Sequence, residues 1–412
     1  MADSLFFSRD TRVFIRLDSG DAAWEIPVLD GFSFSQATNA SEVTLNEMAD
    51  ADGVSRRDRQ LFNDSFAPAE WSFSTYARPF FANSKDRSVE QALWALLAGD
   101  AYYKSADNTF RDSSISGSSY IAQGTSGTAN QQVIDFGQSN KTTLGTASIW
   151  FVMGDSSDSA AAGDALTAYK IEGCCVNEVT FDFDIDGIAT LNWSGMGKII
   201  KEVAVKASDS TPTGVAGDDI WLKTDSPAYS NSSIQIAKTT NFAAVIKPTV
   251  DGIDSDTNYI RNRLSYLSAS STTTSGAVTL PLTGGNITIS NNMTFVTPET
   301  LGVVNQPLGH VTGTRTVSGS VSCYLNNESN ASADLFSDLI GATDTITNSF
   351  NLTFSIGGTI ATTTPTIEFK MENCHLEIPT HNIEDVISLE TNFHALPSTV
   401  GGTNELVISY AG

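Results

Sequence analysis

The chain has 412 residues, 40% of them hydrophobic, with 23 basic residues against 47 acidic ones and a formal net charge of −24. That length and composition support two domains with cores of their own and exclude a disordered chain. The longest apolar run, around residues 93–98, is too short to cross a bilayer. So few Lys and Arg also exclude a surface built to grip nucleic acid, which works by displacing counterions with clustered cations.

Taken from the N-terminus, Met1-Ala2-Asp3-Ser4 has no basic segment followed by an apolar stretch, so no signal peptide is expected. Runs rich in Val, Ile, Phe and Thr then alternate at period two between Ser-, Thr-, Asn- and Gly-rich turns, an antiparallel β signature. Phe32-Ser33-Phe34-Ser35 is the first such strand. A polar loop over 38–68 follows, holding Arg56, Arg57 and Arg59 beside Asp52, Asp58 and Asp64. This tight basic cluster reads as a docking element for an acidic neighbouring subunit rather than a DNA contact. After the strand Trp71–Thr75, Ser88 and Gln91 have the spacing of a capping box. Val89, Leu93, Trp94 and Leu97 give a helical stripe that Gly99 stops. A Ser/Gly-rich insertion spans 101–144, and loops of that length usually contact something.

The acidic strand is the sharpest chemical feature. Asp182-Phe183-Asp184-Ile185-Asp186-Gly187 matches the start of a calcium-binding EF-hand loop, but the twelfth position is Trp193 instead of a bidentate Glu. The alternation fits a two-faced strand better. Phe181, Phe183 and Ile185 then pack inward, and Asp182, Asp184 and Asp186 form one charged row that must face water. Adjacent Cys174 and Cys175 point to opposite faces of a strand, and with Cys323 and Cys374 they read as buried thiols, not a disulfide framework. Residues 201–255, with Pro212, Gly214 and Gly217, form a connector. Tyr259–Leu264 opens the second half as a strand, and Leu335, Phe336 and Leu339 mark a second helix ending at Gly341. Each helix has one apolar stripe and is expected to lie on a sheet with its other side exposed.

The second half repeats the first in order. Phe32–Ser35 recurs as Ile287–Ser290, Trp71–Thr75 as Val317–Val321, and Leu93, Trp94, Leu97 and Gly99 as Leu335, Phe336, Leu339 and Gly341. Phe151–Gly154 recurs as Phe354–Gly357, Glu172 and Cys174 as Glu372 and Cys374, and Leu191 as Leu389. Collinear blocks with the same change of period predict two tandem β modules, 1–200 and 256–412. Counterparts draw closer along the chain, so the first copy carries its extra residues in the 38–68 loop and the 101–144 insertion. No nucleophile elbow, paired metal-ligand histidines or phosphate cradle occurs, so no catalytic, metal or cofactor site is expected. His310, His375, His381 and His394 read as ordinary strand positions.

The order strand, long loop, strand, helix, strand, acidic strand and closing strand resembles the tail tube proteins of long-tailed bacteriophages. Ala168–Gly197 carries the likeness most clearly, through its Ile171-Glu172-Gly173 entry and its Ile188–Gly195 close, and Tyr259-Ile260-Arg261-Asn262-Arg263-Leu264 is similar to a segment found there. The likeness covers 24–200 and 256–410. It implies a mainly β fold of two tandem β-sandwich or half-barrel modules, each with one helix on its sheet, in a non-enzymatic protein of the virion tail. It further implies that three copies make a six-module ring, with four strands per module around a bore, and that rings stack into a tube for DNA. The implied partners are other copies of the chain, tape-measure and terminator proteins, and DNA in passage; the implied place of synthesis is the host cytoplasm, with no membrane. The resemblance extends to inner tubes of contractile tails or secretion devices. A β-sandwich adhesin or carbohydrate binder is disfavoured by the absence of a signal peptide and of an aromatic cluster.

Overall fold

The computed structural model describes residues 6, 8–19, 22–44, 59–82, 85–104, 109–111, 119–123, 131–154, 166–207, 220–222, 234–237, 242–246, 258–271, 277–300, 304–327, 332–333, 350–360, 364–383 and 385–412. Its first half gives β1 (Arg12–Leu17), β2 (Ala23–Ile26), β3 (Ser33–Ser35), β4 (Thr38–Thr44), β5 (Arg59–Phe66), β6 (Ala69–Tyr76), β7 (Pro79–Ala82) and β8 (Lys85–Ser88). Helix α1 (Gln91–Ala98) follows, then β9 (Tyr102–Lys104), β10 (Thr109–Arg111), β11 (Ser119–Gln123), β12 (Gln132–Asp135), β13 (Ala147–Met153), β14 (Thr167–Asp184) and β15 (Thr190–Gly197). Next come β16 (Ile199–Val203), β17 (Val205–Ala207), β18 (Ile220–Leu222), β19 (Ile234–Ala237) and β20 (Phe242–Ile246). The second half gives β21 (Tyr266–Ser271), β22 (Ala277–Ser290), β23 (Thr294–Val296), β24 (Gly309–Val311), β25 (Thr316–Tyr324), β26 (Phe350–Ile356), β27 (Thr366–Leu376), β28 (Thr380–Asn382), β29 (Ser388–Ala395) and β30 (Val407–Ala411). The protein is mainly β, as its period-two alternation requires.

Two long strands organise the fold by changing partners along their length. β14 pairs with β13 and β16 through its first half, then with β15 and β22 through its second. The change falls at a β-bulge where Gly173 takes φ +59°, a conformation open to glycine. β22 likewise pairs with β21 first and with β14 and β25 afterwards. The outcome is one antiparallel run of eight strands, β3-β6-β15-β14-β22-β25-β29-β27, with β28 continuing the line of β27 beside β29.

One pairing scheme occurs twice. β1 pairs with β2 and β13, β13 with β14, β14 with β15, β15 with β6, and β6 with β3. β21 pairs with β22 and β26, β26 with β27, β27 with β29, β29 with β25, and β25 with β22. Phe34 faces Trp71 where Ile289 faces Val317, and Phe151 faces Tyr169 where Phe354 faces Phe369.

The segments outside this scheme are themselves stranded. The 101–144 insertion is the meander β9-β10-β11-β12, and β12 pairs with β30, which pairs in turn with β27. The insertion of the first half thus extends a sheet of the second. In 201–255, β17, β18, β19 and β20 pair in succession and run back to β2, enclosing Phe14, Trp150, Ala168, Ile220, Ile236 and Val245.

Helix α1 departs from expectation in two ways. All eight of its residues are buried, so it is enclosed and does not lie on a sheet with one side in water. The insertion covers it: Tyr120 of β11 donates to the Ala95 carbonyl at 3.2 Å. Nor does a Ser88–Gln91 capping box form. Ser88 ends β8, and both its N–H and its hydroxyl donate to Gln132 Oε1, at 2.6 and 2.8 Å. The second half ties the helix at each end. Asn291 Nδ2 donates to the Leu97 carbonyl at 3.0 Å and Arg315 Nη2 to the Ala98 carbonyl at 2.6 Å, a cation where the helix dipole favours one. Of the second expected helix only Ser332 and Ala333 are described, as helical; Leu335, Phe336, Leu339 and Gly341 lie outside the described residues.

At the other end of α1, Trp94 Nε1 donates to the Tyr410 hydroxyl at 2.9 Å, and that hydroxyl donates to Glu90. Burial pushes the Glu90 carboxyl up to about 7, against the lowering effect of the Tyr410 hydrogen bond. A carboxyl raised on folding gives stability that is complete below its unfolded value and is lost as pH rises through the folded one. Asp86, pushed by burial up to about 6, acts in the same sense. The melting temperature is therefore expected to fall as pH rises from 4.5 to 7, and Glu90→Gln to flatten that slope. The Glu90 shift corresponds to about 3 kcal/mol. Melting curves across that range check it, and an unchanged slope in the variant counts against the assignment.

Candidate functional site: the polar face of the long sheet

Alternation gives the eight-stranded run two unlike faces. Inward lie Trp71, Phe73, Val179, Phe181, Phe183, Leu191, Trp193, Ile287, Ile289, Val317, Val321 and Phe393, all in one core with α1. Trp94 of the helix meets Trp193 edge-on at 4.8 Å between ring centroids. This packing fixes which side chains turn outward.

The facing pairs identify the outer row on each strand. Ser33 and Ser35 of β3 face Ser72 and Glu70 of β6, and Ser74 and Ser72 face Asn192 and Ser194 of β15. Across β14 and β22, Glu178, Thr180 and Asp182 face Ser290, Thr288 and Asn286. Further along, Ser318, Ser320 and Ser322 of β25 face His394, Asn392 and Glu390 of β29. His375 faces His394, and Thr380 faces Glu390. None of these outward positions holds Lys or Arg. The face is a lattice of hydroxyls and amides with sparse carboxylates and the imidazoles of His375 and His394.

Hydrogen bonds knit that lattice across strands. Ser74 Oγ donates to Asn192 Oδ1 at 2.6 Å, and Asn192 Nδ2 donates to Asp182 Oδ2 at 2.9 Å. Thr180 and Thr288 hydroxyls meet at 3.2 Å, and Asn392 Nδ2 donates to Glu377 Oε2 at 2.8 Å. Short side chains tied to one another make a smooth polar surface with few long arms.

The expected acidic row is divided. Asp182 and Asp184 are exposed on the outer face of β14, while Asp186 lies past the strand end, 3.7 Å from Arg263. Ile185, expected inward, is 46% exposed because the strand ends at Asp184 and the chain bends. Among the described residues no cluster of three or more His, Cys, Asp or Glu side chains could hold a metal ion. Sequence reasoning missed Glu70, Glu178, Glu377 and Glu390: Glu70 and Glu390 are each the lone acid of their strand, Glu178 stands apart from the Asp-rich end of β14, and Glu377 follows the end of β27. The signal that finds them is the parity of each position relative to its buried neighbours.

Of the basic cluster, Arg56 and Arg57 lie outside the described residues, and Arg59 opens β5, facing Thr44. The 38–68 segment is a hairpin, β4–β5, that carries Leu61 and Phe62 at 61% and 54% exposure. The second half has a hairpin of its own between β22 and β25, β23–β24, and the two elements meet. Phe66 N donates to the Asn305 carbonyl at 2.9 Å, and Asn305 N donates to the Asp64 carbonyl at 3.1 Å.

Cys175 Sγ lies 3.0 Å from His310 Nδ1. Burial pushes the thiol up to about 12 and holds the imidazole below its usual value, so both stay neutral near pH 7. The pair packs β24 against β14 and has no activated nucleophile. All four cysteines are free and buried. Among the described residues no helix is long and apolar enough to cross a membrane.

A long antiparallel sheet, one face polar and without Lys or Arg at its paired outward positions, with hairpins projecting from its strand connections, defines a structural protein built for assembly. A family model described as phage tail tube protein matches residues 29–395, and the chain belongs to that family. It is similar to the tail tube protein pb6 of Escherichia phage T5, with 27% identity over 417 residues that cover 99% of this chain and 76% of that one. The protein is accordingly a structural component of the phage tail, not an enzyme, and assembles with itself and with other tail proteins.

Proposed function

We propose that each chain carries two tube modules, 1–200 and 256–412, that three chains close into a pseudo-sixfold ring, and that stacked rings form the hollow tube through which DNA leaves the particle. The observation that carries this reading is the outer face of the eight-stranded run, lined by Ser, Thr, Asn, two His and carboxylates without Lys or Arg. Such a surface repels phosphate and offers no counterion release, so a duplex slides over it without sticking. The recurring pairing scheme supports the two modules, each giving four strands to the run.

The dimensions agree. Three chains of eight strands give about 24, and at ~4.7 Å spacing and ~40° tilt the perimeter is about 147 Å. The backbone diameter is then near ~47 Å, and ~5 Å of side chain at each wall leaves a bore of about 37 Å, enough for a hydrated duplex. The β4–β5 and β23–β24 hairpins supply the contacts between rings, with Arg56, Arg57 and Arg59 set against an acidic neighbour. A tape-measure protein inside the bore and a terminator at the tube end are the remaining partners, and assembly takes place in the host cytoplasm.

The test is charge reversal in the bore. Asp182→Lys with Asp184→Lys is expected to leave tube assembly intact and to slow genome delivery severalfold, as measured by DNA release from purified particles. Asp186 is omitted because it already faces Arg263. Delivery at the normal rate from fully assembled mutant tails would sink the lining role.

A further inference from the structure

The run of eight strands ends at β3 on one side and at β28 on the other, and the seam between the two halves shows how such ends can join. Inside the chain β14 and β22 pair antiparallel, with Glu178 facing Ser290, Thr180 facing Thr288 and Phe183 facing Gly285. Behind this seam Ala189 N donates to the Ile260 carbonyl at 2.9 Å and Asn262 N to the Gly187 carbonyl at 3.1 Å. Arg78 lies 4.5 Å from the centroid of the Tyr259 ring. The segment ahead of the second half is thus seated on the turn that follows β14.

Each part of the seam has a counterpart at the ends of the run. Asp182 faces Thr190 and Asn382 faces Ser388, so β28 occupies the place of the second half of β14. Ser33 faces Ser72 where Thr288 faces Ser318, so β3 occupies the place of the second half of β22. A 3-10 turn, Ser8–Asp10, precedes β1 by the interval at which Asn262–Leu264 precedes β21. Exposure then separates the two sets. Phe183 and Ile260, in the seam, are 5% and 0% exposed. Their counterparts Ile383 and Phe6, at the ends, are 78% and 49% exposed. A Cβ on Gly285 would come 2.9 Å from the Phe183 ring, whereas one on Gly31, next to Asp30 at the equivalent place, would meet nothing within 4 Å. The ends of the chain carry the apolar side chains of the seam without their cover.

We propose that β28 of one chain pairs antiparallel with β3 of a second copy in the register of the internal seam, with Thr380 opposite Ser33 and Ile378 opposite Ser35. In that register Asn382 lies opposite Gly31 and Ile383 opposite Asp30, beside the open side of Gly31, and Phe6 of the second copy seats on the turn after β28, as Ile260 seats on the turn after β14. The contact is head-to-tail, so it propagates until the rotation closes a ring. Main-chain ladder bonds supply the adhesion, and the two apolar anchors fix the register. This inference rests on the tube reading and adds the residues through which neighbours meet.

Disulfide trapping in the full-length chain tests it. Ser33→Cys with Thr380→Cys places two thiols on facing positions of the polar face, and the native cysteines are buried. Mild oxidation of assembled material is expected to give covalently linked multimers on a non-reducing gel, which a reductant returns to monomer, with none from either single variant. Ser35→Cys with Asn382→Cys, four residues out of register and about 13 Å apart, is expected to stay unlinked. Tubes visible by negative-stain microscopy that fail to link at 33–380, or that link at 35–382, would overturn the register and leave the tube reading standing. Preparations that form neither rings nor tubes would overturn both.

Discussion

Deleting residues 45–62 is expected to leave a folded chain that no longer extends into tubes. β4 and β5 form a two-stranded sheet separate from the long run, bridged to the body at Asn305. The described contacts with Asn305 use Asp64 and Phe66, beyond the deletion, so the attachment to the body survives. An isolated hairpin is marginal in water, and this one exposes Leu61 and Phe62, so its stability points to a covering partner. Burial of those two side chains in a neighbouring ring is worth about 1.5–3 kcal/mol each. The melting temperature should change little, as for surface changes of about 0.5 kcal/mol. Sedimentation should show assembly stopping at the ring. The β23–β24 hairpin, with Val296, Leu308 and Val311 exposed, would remain as the surviving contact. Tubes of normal length from the deleted chain would remove the docking role.

Legibility in the sequence followed how local each constraint was. Strands with one buried face announce themselves at period two, so Phe32–Ser35, Trp71–Thr75 and the alternation through Phe181 and Phe183 were readable. The helix at Leu93, Trp94 and Leu97 was readable too, because three or four residues define its stripe. Its surroundings were not. The Ser88 hydroxyl has its partner in Gln132, and the carbonyls of Leu97 and Ala98 have theirs in Asn291 and Arg315, far along the chain. A capping-box pattern cannot report that a distant amide competes for the same donor. For the same reason Ile185 looked buried: periodicity continues past Asp184, but the strand does not. The polar face was legible only where acids crowd one strand, at Asp182 and Asp184. Glu178 shares the parity of Asp182 on β14, whereas Glu70, Glu377 and Glu390 join that face through pairings and contacts with other strands, which no pattern within one strand encodes. Nor does β14 reveal its change of partner, since a bulge at Gly173 leaves the alternation on either side intact.

Gly195→Val is expected to be among the most damaging substitutions in the long sheet. Gly195 faces Trp71 across β15 and β6, and its missing side chain makes room for the indole. A Cβ there would come 2.2 Å from the Cys175 carbonyl oxygen and 2.4 Å from the Trp71 ring. Neither can yield cheaply, because the carbonyl belongs to β14 and the indole is stacked on Phe73 at 5.2 Å within the core. Overpacking at such a site costs about 3 kcal/mol or more. Gly319→Val meets the same obstacle in the second half, with a Cβ 2.0 Å from the Asn286 carbonyl oxygen and 2.8 Å from the Phe393 ring. The neighbouring position supplies the control. Ser194 points to the polar face, so Ser194→Val changes hydration without displacing anything and should shift stability by about 0.5 kcal/mol. Thermal melts of the three variants decide the matter: a large loss for the two glycines beside near-native behaviour for Ser194→Val follows from the assignment of faces. Equal losses at 194 and 195 would mean that the two sides of this sheet have been misassigned, and the polar lining would fall with them.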